Sequence, residues 1–419
     1  MTTTEDHSAP AATQTFESLG IDAALVAVLA ETGITEPFPI QELTIPDSLA
    51  GHDITGKAET GSGKTLAFGL PMVQGMERAR KGAPRGLVLV PTRELANQVA
   101  RELKPLLAAR DMRLASVYGG ASMGDQIDRI KQGVEIIVAT PGRLIDLLER
   151  KVVTLKDVGQ VTIDEADQMA DMGFLPQVRR IMRHVEQDHQ TMLYSATLDG
   201  QVASLISSYM SDPIEHKVET DSQAIETMEQ RFLKVHYMDK VKVTAAIAEA
   251  SGRTLVFVRT KSACDRVARD LREEGVGAQA IHGDLPQRKR EQALNSFSEG
   301  QTPVLVATNV AARGLHVDGV DVVLHYDPPD DPKTYLHRSG RTARAGESGL
   351  VVTLVEWDQV NEVIGIQRQA GLNLPIVKMF SNDPRLTDLA TWEPDEKPPM
   401  QNRTAGTSAA KTKRRRRRI

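Results

Sequence analysis

The sequence predicts an α/β protein made of two copies of one unit, each unit a parallel sheet flanked by helices. Its 419 residues leave room for two domains and their tails at about 150 residues per domain. From about residue 50 onward, short β-rich runs alternate with helical patterns, which is typical of parallel strands connected by helices. A segment of the first half also recurs in the second half, so we expect two related units.

Three pairs of a strand followed by a helix stand out in the first unit. They are 86–90 before 94–107, 135–139 before 144–149, and 159–163 before a further helical stretch. Residues 87–103 align without gaps on residues 255–271, with eight of seventeen positions identical at an offset of 168. The same offset carries 138–140 onto 306–308. Agreement on one offset in two separate segments indicates a duplicated unit.

This organisation predicts five segments along the chain. They are a disordered N-terminal tail at 1–15, a first domain at 16–214, a linker at 215–229, a second domain at 230–372, and a C-terminal extension with a basic tail at 373–419. The two terminal segments are polar, repetitive or rich in charge, so we expect them to be disordered.

The composition is that of an ordinary globular protein, with 40% hydrophobic and 26% charged residues. The one cysteine, Cys264, excludes an intramolecular disulfide and a metal site built from several thiolates. The longest uncharged apolar run, 23–30, is far below the roughly 18 residues that span a bilayer, so we expect no membrane segment. Because the N-terminus also lacks a secretory pattern, we expect a cytoplasmic protein.

The net charge of −5 hides an uneven distribution of basic residues. Residues 411–419 hold seven of the 51 basic side chains and no acid, which leaves 44 against 56 acidic side chains elsewhere. A body that acidic cannot hold a polyanion by bulk attraction, so nucleic acid would bind along a local track or at the tail. For the tail, an RNA-affinity segment, a nuclear signal and a solvated end are all open.

A glycine-rich loop between a strand candidate and a helical run indicates phosphate binding. Residues 58–65 read AETGSGKT, with Ala58 where a first glycine is common. Lys64 would bring a positive charge to the β- and γ-phosphates, and the Thr65 hydroxyl would bind Mg²⁺. The residues whose backbone N–H groups would surround phosphate oxygens are Gly61, Ser62 and Gly63.

The apolar strand candidate 161–163 ends in two carboxylates, Asp164 and Glu165. Successive side chains of a strand point to opposite faces, so we expect the two acids to have different roles. We assign Asp164 to Mg²⁺, through water, and Glu165 to the attacking water as general base.

The second unit has no phosphate loop, since the offset of 168 places Phe232 opposite Lys64 with no glycine cluster nearby. It has instead the basic run 337–344, HRSGRTAR. If the two units face each other, Arg341 and Arg344 reach the γ-phosphate across the cleft as arginine fingers. One ATP would then lie between the units, and its hydrolysis would change how they dock.

The ordered set of motifs, from about residue 16 to 370, resembles the DEAD-box RNA helicases. In chain order the motifs are AETGSGKT at 58–65, PTRELA at 91–96, TPGR at 140–143, DEAD at 164–167, SAT at 195–197 and HRSGRTAR at 337–344. The resemblance implies two RecA-like domains and RNA-stimulated ATP hydrolysis. It also implies local separation of short RNA duplexes without sequence specificity, with the domains closing on ATP and RNA together and reopening after hydrolysis.

The resemblance further implies roles for individual residues. Residues 33–41, GITEPFPIQ, look like the family's adenine-reading motif, with Gln41 on the base edge and Phe16 stacking nearby, which implies ATP over GTP. Ser195 and Thr197 look like the element that couples nucleotide to RNA through Asp167. Within the basic run of the second unit, His337 is similar to a catalytic-site residue of the family. The residues similar to the family's RNA track are Pro91, Thr92, Arg93, Gly119, Gly120, Thr140, Arg143, His282, Gly283 and Thr308.

The chain departs from the family pattern on either side of Arg313, which we assign to coupling. Asn309 and His316 stand where the family usually has aspartate. The second of these acids normally contacts the ATP ribose, so we place His316 at the nucleotide and expect weaker discrimination between sugars.

Three rival functions stay open on the sequence. An ATP-gated RNA clamp would bind without multiple turnover, a DNA helicase of the wider superfamily would share the phosphate loop, and a P-loop kinase would leave the basic run of the second unit unexplained. The sequence is silent about the physiological RNA, and it leaves ribosome-assembly and RNA-decay factors open as protein partners.

Overall fold

The fold is described from a computed structural model, which covers residues 14–58, 61–186, 188–218, 228–312, 320–342 and 349–392. These ranges contain two seven-stranded sheets whose strand pairs are all parallel. The predicted α/β class with two units is therefore confirmed. None of the helices in the covered ranges is both long and apolar enough to cross a membrane.

The first domain contains seven strands and nine helices among the described residues. They are α1 (Ala23–Glu31), α2 (Pro39–Leu49), β1 (Ile54–Lys57), α3 (Lys64–Gln74), β2 (Gly86–Leu89), α4 (Arg93–Ala108), β3 (Leu114–Val117), α5 (Met123–Gln132), β4 (Ile136–Ala139), α6 (Pro141–Glu149), β5 (Gln160–Asp164), α7 (Ala166–Asp171), α8 (Leu175–Met182), β6 (Gln190–Ser195), α9 (Gly200–Tyr209) and β7 (Ile214–Lys217). The sheet order is β3-β4-β2-β5-β6-β1-β7.

The second domain repeats this plan. Its elements are β8 (Met228–Lys234), α10 (Lys240–Ala250), β9 (Thr254–Val258), α11 (Lys261–Glu273), β10 (Ala278–Ile281), α12 (Gln287–Ser298), β11 (Val304–Thr308), α13 (Asn309–Ala312), β12 (Val322–His325), α14 (Pro332–Ser339), β13 (Gly349–Val355), α15 (Val360–Gln369), β14 (Ile376–Lys378) and a 3₁₀ turn (Pro384–Thr387). The sheet order β10-β11-β9-β12-β13-β8-β14 matches that of the first domain strand for strand.

The repeat found in the sequence corresponds to equivalent elements of the two sheets. β2 and β9, α4 and α11, and β4 and β11 each begin 168 residues apart. The rest of the two domains follows the same topology at other offsets, because the connecting loops differ in length. The duplication inferred from the sequence is therefore confirmed at the level of topology.

Each sheet is buried on both faces, as parallel sheets flanked by helices require. Along β2, Val88 packs in one apolar layer while Leu87 and Leu89 pack in the other. Along β9, Val256 lies in one layer, and Leu255 lies in the opposite one. Because strand side chains alternate between faces, a run of apolar residues serves both layers at once.

Three of the predicted domain boundaries fall within folded parts of the structure. The predicted linker, 215–229, begins inside β7 and ends inside β8, and its central part, 219–227, lies outside the described residues. The second domain continues past residue 372, since β14 pairs with β8, and Leu386 and Leu389 are buried in its core. β14 covers the edge of β8, so this part of the predicted extension belongs to the folded domain. Of the predicted terminal segments 1–15 and 373–419, residues 1–13 and 393–419 lie outside the described residues.

Candidate functional site

The phosphate loop connects β1 to α3, and its glycines meet two separate requirements. Gly61 has φ 92° and Gly63 has φ 85°, a backbone conformation that side chains rarely adopt. A Cβ atom at Gly63 would lie 2.5 Å from Nε2 of Gln41 and 2.7 Å from Cδ2 of Phe38. Glycine at 63 is thus required by backbone conformation and by space. Glu59 and Thr60 lie outside the described residues.

Lys64, the first residue of α3, is 6% exposed, and its ammonium group makes two hydrogen bonds. Its Nζ donates to Oε1 of Glu165 at 2.7 Å and to the carbonyl of Ala58 at 3.2 Å. Burial by itself lowers the pKa of Lys64, but the charges of Glu165 and Asp164 outweigh it and raise the pKa above its ordinary value. The lysine is therefore a fixed positive charge beside the two predicted catalytic acids.

Asp164 ends β5, and Glu165 follows it in a left-handed backbone conformation with φ 53°. Such a φ is uncommon outside glycine and is found at functional turns. The Glu165 N–H donates to Oδ1 of Asp164 at 2.9 Å, which fixes the turn. Burial raises the pKa of Asp164 to about 7, although the positive charge of Lys64 opposes the rise.

The donor set suits a hard divalent cation that is held mainly by phosphate and water. Asp164 is 2% exposed and Thr65 is 7% exposed, beside the loop. Within the described part of the chain, no three His, Cys, Asp or Glu side chains cluster as metal ligands. Mg²⁺ typically takes one or two carboxylates plus substrate phosphates and waters, so these residues fit Mg²⁺ and not an all-protein cage.

Ser195 connects the acidic turn to the following loop. Its buried hydroxyl oxygen accepts from the N–H of Asp167 at 3.2 Å and from the N–H of Thr197 at 3.4 Å. Burial, and next the charge of Glu165, raise the pKa of Asp167, while the positive charges of Lys333 and His337 oppose the rise. The predicted coupling residues Ser195, Thr197 and Asp167 are therefore in one hydrogen-bonded unit, and the second domain acts electrostatically on it.

The adenine motif holds the phosphate loop in place. The Gln41 side chain is fully buried, where its Oε1 accepts from the Phe38 N–H at 2.8 Å and its Nε2 donates to the Gly63 carbonyl at 2.8 Å. Phe16 is 1% exposed and packs in the core of the first domain. The stacking role of Phe16 stays a prediction, and the exposed ring beside the phosphate loop is that of Phe38, which is 51% exposed.

A cleft of about 470 Å³ brings most of the predicted RNA residues together. Those that line it are Pro91, Thr92, Arg93, Gly119, Thr140, Arg143 and Gly283. Both domains contribute, since Arg290 and Ala311 of the second domain complete the wall, and Met172 and Phe174 add apolar surface. These last four residues could not be predicted from the sequence, because no motif marks them.

Gly120 of the predicted RNA track has a direct packing reason. A Cβ atom at Gly120 would come within 2.8 Å of the guanidinium carbon of Arg93, and Gly120 has φ 81°. Any larger residue there would displace this arginine from the cleft wall. Arg143 donates to the Ala121 carbonyl at 3.4 Å, which holds the second arginine on the same side.

The other predicted RNA residues of the second domain lie at the ends of neighbouring strands. His282 follows β10, is 5% exposed, and its Nε2 is 3.0 Å from Oδ1 of Asp265. Thr308 ends β11 and is 7% exposed. Because parallel strands present their carboxyl ends at one edge, both residues lie on the edge that also carries Gly283.

The helix α14 carries His337, and Arg341 follows it. Both line a small pocket together with Gln168 of the first domain, so the two domains meet there. Burial lowers the pKa of His337, and the charge of Asp167 opposes this. Arg338, also on α14, is buried, and its Nε donates to Oδ1 of Asn309 at 2.7 Å. The acceptor for this guanidinium is therefore an uncharged amide. The predicted residues Arg313, His316 and Arg344 lie outside the described residues.

Among the described residues, ion pairs join the domains across the cleft at two places. At the first, Glu94 of α4 accepts from Arg290 at 3.0 Å and from Gln287 at 3.2 Å. At the second, Nζ of Lys333 lies 3.3 Å from Oδ2 of Asp171. Neither ion pair could be predicted from the sequence, because a charged helix face carries no local signal that identifies its partner.

The fold and the site define the class of the protein. A phosphate loop with its lysine, an acidic strand end and a second domain that closes the site are the parts of a nucleoside triphosphatase built from two RecA-like domains. The adjoining two-domain cleft, lined by arginines, hydroxyls and glycines, suits a sugar–phosphate backbone.

Comparisons with known proteins identify the family. The model of the DEAD/DEAH box helicase domain matches residues 38–205, and that of the helicase conserved C-terminal domain matches 234–346. The DEAD-box ATP-dependent RNA helicase CshA of Geobacillus kaustophilus is 39% identical over 356 residues, covering 84% of this chain and 76% of that protein. CshA of Bacillus subtilis is 40% identical over 347 residues, covering 82% and 70%.

Solved structures show the same two-domain fold. Dbp5 of S. cerevisiae bound to RNA and ADP BeF3 superposes with a TM-score of 0.77 at 28% identity, covering 88% of this chain and 96% of that one. A DEAD box protein from Methanococcus jannaschii superposes with a TM-score of 0.51 at 32% identity, covering 87% and 99%. The chain belongs to the DEAD-box ATP-dependent RNA helicases, and it is an ATP hydrolase whose nucleic-acid partner is RNA.

Proposed function

We propose that this chain couples RNA-stimulated ATP hydrolysis to the local separation of short RNA duplexes, and that the residues described above carry it. The observation that supports this most directly is the cleft shared by the two domains. A strand held by both walls is gripped only while the domains are closed. ATP binding and release can therefore control how firmly RNA is held.

In the proposed site, Lys64 would bind the β- and γ-phosphates, and Thr65 with Asp164 would hold Mg²⁺, which offsets phosphate charge when bound. The contact of Lys64 with Glu165 at 2.7 Å then has a consequence. When phosphate oxygens take over Lys64, that lysine no longer occupies Oε1 of Glu165, and the carboxylate would accept a proton from the attacking water. Gln41 holds the loop that positions the phosphates, and its contact with the adenine base edge stays a prediction.

The second domain would complete the site from across the cleft. Arg341 lies in the pocket beside Gln168 and is the proposed arginine finger, while Arg344 and His316 stay predictions from the sequence. Ser195 and Asp167 connect the acid turn to the helix that faces this pocket. Opening the cleft therefore removes RNA contacts and the finger together, which couples the two ligands.

The RNA track reads the backbone and not the bases. Arginine, threonine and backbone groups bind phosphate and 2′-OH, which every RNA sequence offers. The arrangement of the two domains resembles that of Dbp5 bound to RNA and ADP BeF3, which supports describing it as the closed form. A closed track of this kind binds a single RNA strand better than a short RNA duplex.

Steady-state phosphate release tests the proposal. We expect strong stimulation by single-stranded RNA and little by DNA of the same sequence. Equal stimulation by DNA would favour the wider helicase superfamily, and tight ATP-dependent RNA binding without multiple turnover would favour the clamp.

The Glu165→Gln variant tests the general base. It should keep ATP and RNA binding while turnover falls by about 10²–10⁴-fold. Glu77→Gln, at an exposed acid of the same domain, is the matched control and should behave as the unmodified chain. Turnover at the normal rate in Glu165→Gln would show that Glu165 is not the general base.

Three finer assignments stay predictions. They are an RNA-affinity role for the tail 411–419, protein partners in ribosome assembly or RNA decay, and a cytoplasmic location.

A further inference from the structure

We propose that Lys333 and Asp171 form an ion pair that fixes the second domain against the nucleotide site, which makes Lys333 a positioning residue for ATP hydrolysis. The inference deepens the proposed function and rests on it. Nζ of Lys333 lies 3.3 Å from Oδ2 and 3.4 Å from Oδ1 of Asp171, so the ammonium contacts both carboxylate oxygens.

The pair joins the two helices that carry the chemistry of the cleft. Lys333 is the second residue of α14, the helix that carries His337 and leads to Arg341. Asp171 is the last residue of α7, the helix that starts directly after Glu165 and carries Asp167. The contact therefore connects the helix that leads to Arg341 with the helix that follows Glu165. It lies at the opposite end of α7 from Glu165.

The position of each charge on its helix favours the contact. Asp171 ends α7, where the partial negative charge of the helix terminus adds to its carboxylate and attracts Lys333. Lys333 lies in the first turn of α14, where the partial positive charge of the helix attracts Asp171 in the same way. The pair thus holds the first turn of α14 against the last residue of α7, and His337 and Arg341 lie beside Gln168.

This ion pair differs in exposure from the buried ion pair between the domains. Glu94 and Arg290 have side chains that are only 6% and 8% exposed, so salt has little access to them. Lys333 and Asp171 are 41% and 34% exposed, in a position that dissolved ions reach. Lys333 with Asp171 is therefore the salt-sensitive contact, and it lies on the nucleotide side of the cleft.

The first experiment measures phosphate release by the full chain as RNA is titrated at low salt. Lys333→Glu places two negative charges together, and we expect the RNA concentration for half-maximal stimulation to rise about three- to tenfold. The rate at saturating RNA should change much less, because enough RNA restores closure. Lys333→Arg keeps the charge and should behave as the unmodified chain.

Two further variants isolate the pair itself. Lys333→Glu combined with Asp171→Lys restores opposite charges and should recover most of the lost RNA response. Lys242→Glu makes the same charge change at an exposed lysine of α10 that forms no ion pair within the described residues, and it should have no effect. An equal loss in Lys242→Glu, or no recovery in the swapped variant, would overturn the proposal.

A second readout does not depend on turnover. A carbodiimide joins only amines and carboxylates already in contact, so it should link Lys333 to Asp171, and a peptide of both should appear by mass spectrometry. The yield should rise with RNA and a non-hydrolysable ATP analogue and fall at high salt. A chain without RNA-stimulated turnover that still gives this peptide contradicts only the proposed function, whereas an active chain that never gives it contradicts the ion pair.

Discussion

The two domains place a buried lysine at the same point of the same fold and use it differently. Lys64 begins α3 after β1, and Lys240 begins α10 after β8, the equivalent strand of the second sheet. Lys64 is next to a glycine loop and pairs with the one acid Glu165. Lys240 is held by two acids, at 3.0 Å from Glu356 and 3.5 Å from Asp327.

The difference lies in the loop before the lysine. In the first domain, Gly61 and Gly63 leave space and backbone N–H groups for an anion. In the second, residues 235–239 contain no glycine, and Lys240 also lies 4.4 Å from the ring of Tyr326. Two carboxylates and a ring satisfy the second lysine within the protein, so of these two lysines Lys64 is the one that a phosphate can take over.

The largest expected effect is the loss of ATP turnover in Lys64→Met. Removing a positive charge aimed at the phosphates should lower ATP turnover by about 10²–10³-fold or more. Lys240→Met, the same change at the equivalent position, should leave turnover unchanged. The check is RNA-stimulated phosphate release by both variants, and equal losses in the two would contradict a functional difference between the lysines.

Lys240→Met should show its effect on stability instead. It leaves Glu356 and Asp327 without their shared cation, and because these acids are about a quarter exposed we expect a loss of about 1–3 kcal/mol in the free energy of unfolding of the second domain. Urea unfolding, followed by alkylation of Cys264 as a probe of that domain, measures the loss. An unchanged unfolding midpoint would show that the two acids do not hold the lysine.

We expect the stability of the second domain to depend on pH through one buried histidine, which has no titratable equivalent in the first domain. By sheet register, His325 of β12 is equivalent to Ile163 of β5. Burial, and next the charge of Arg338, hold the pKa of His325 well below its ordinary value. The imidazole is then neutral when folded, whereas the unfolded chain binds a proton below about pH 6.5.

Below that pH the unfolded state binds more protons, so stability falls as pH falls. We expect the second domain to lose roughly 1.4 kcal/mol for each pH unit below about 6.5. His325→Ile, which copies the first domain, should remove most of this slope, although the contact of His325 with Thr353 is lost as well. Urea unfolding between pH 5 and 8, about the range of histidine titration, measures it, and equal slopes in both proteins would contradict the assignment.

The smallest expected effect concerns Cys264, which is equivalent to Ala96 at the offset of 168. Both side chains are fully buried, and burial raises the pKa of the Cys264 thiol to about 12. Because the thiolate is the reactive form, alkylation of the folded protein should be far slower than that of the urea-unfolded chain. Cys264→Ala, which again copies the first domain, should cost about 1 kcal/mol or less. Fast alkylation of the folded protein would contradict this burial.

The equivalence of Lys64 and Lys240 also shows how far sequence comparison reaches. The gap-free offset of 168 correctly aligned β2, α4 and β4 with their equivalents in the second domain, but it placed Phe232 opposite Lys64. The two lysines are 176 residues apart because the connections before them differ in length, and only the sheet order aligns them. Phe16 and Phe38 give a second example, since only the packing shows that the first ring is buried and the second is exposed beside the phosphate loop.

What the sequence determined by itself is local chemistry along the chain: the glycine loop before α3, the acids at the end of β5, the alternating strands and helices, and the duplication. These depend on neighbouring residues, whose spacing sets backbone conformation and the direction of each side chain. The tertiary structure alone decided the pairs between distant segments, Glu94 with Arg290 and Lys333 with Asp171. Such contacts depend on how two separately folded sheets are placed against each other, and no local pattern encodes that placement.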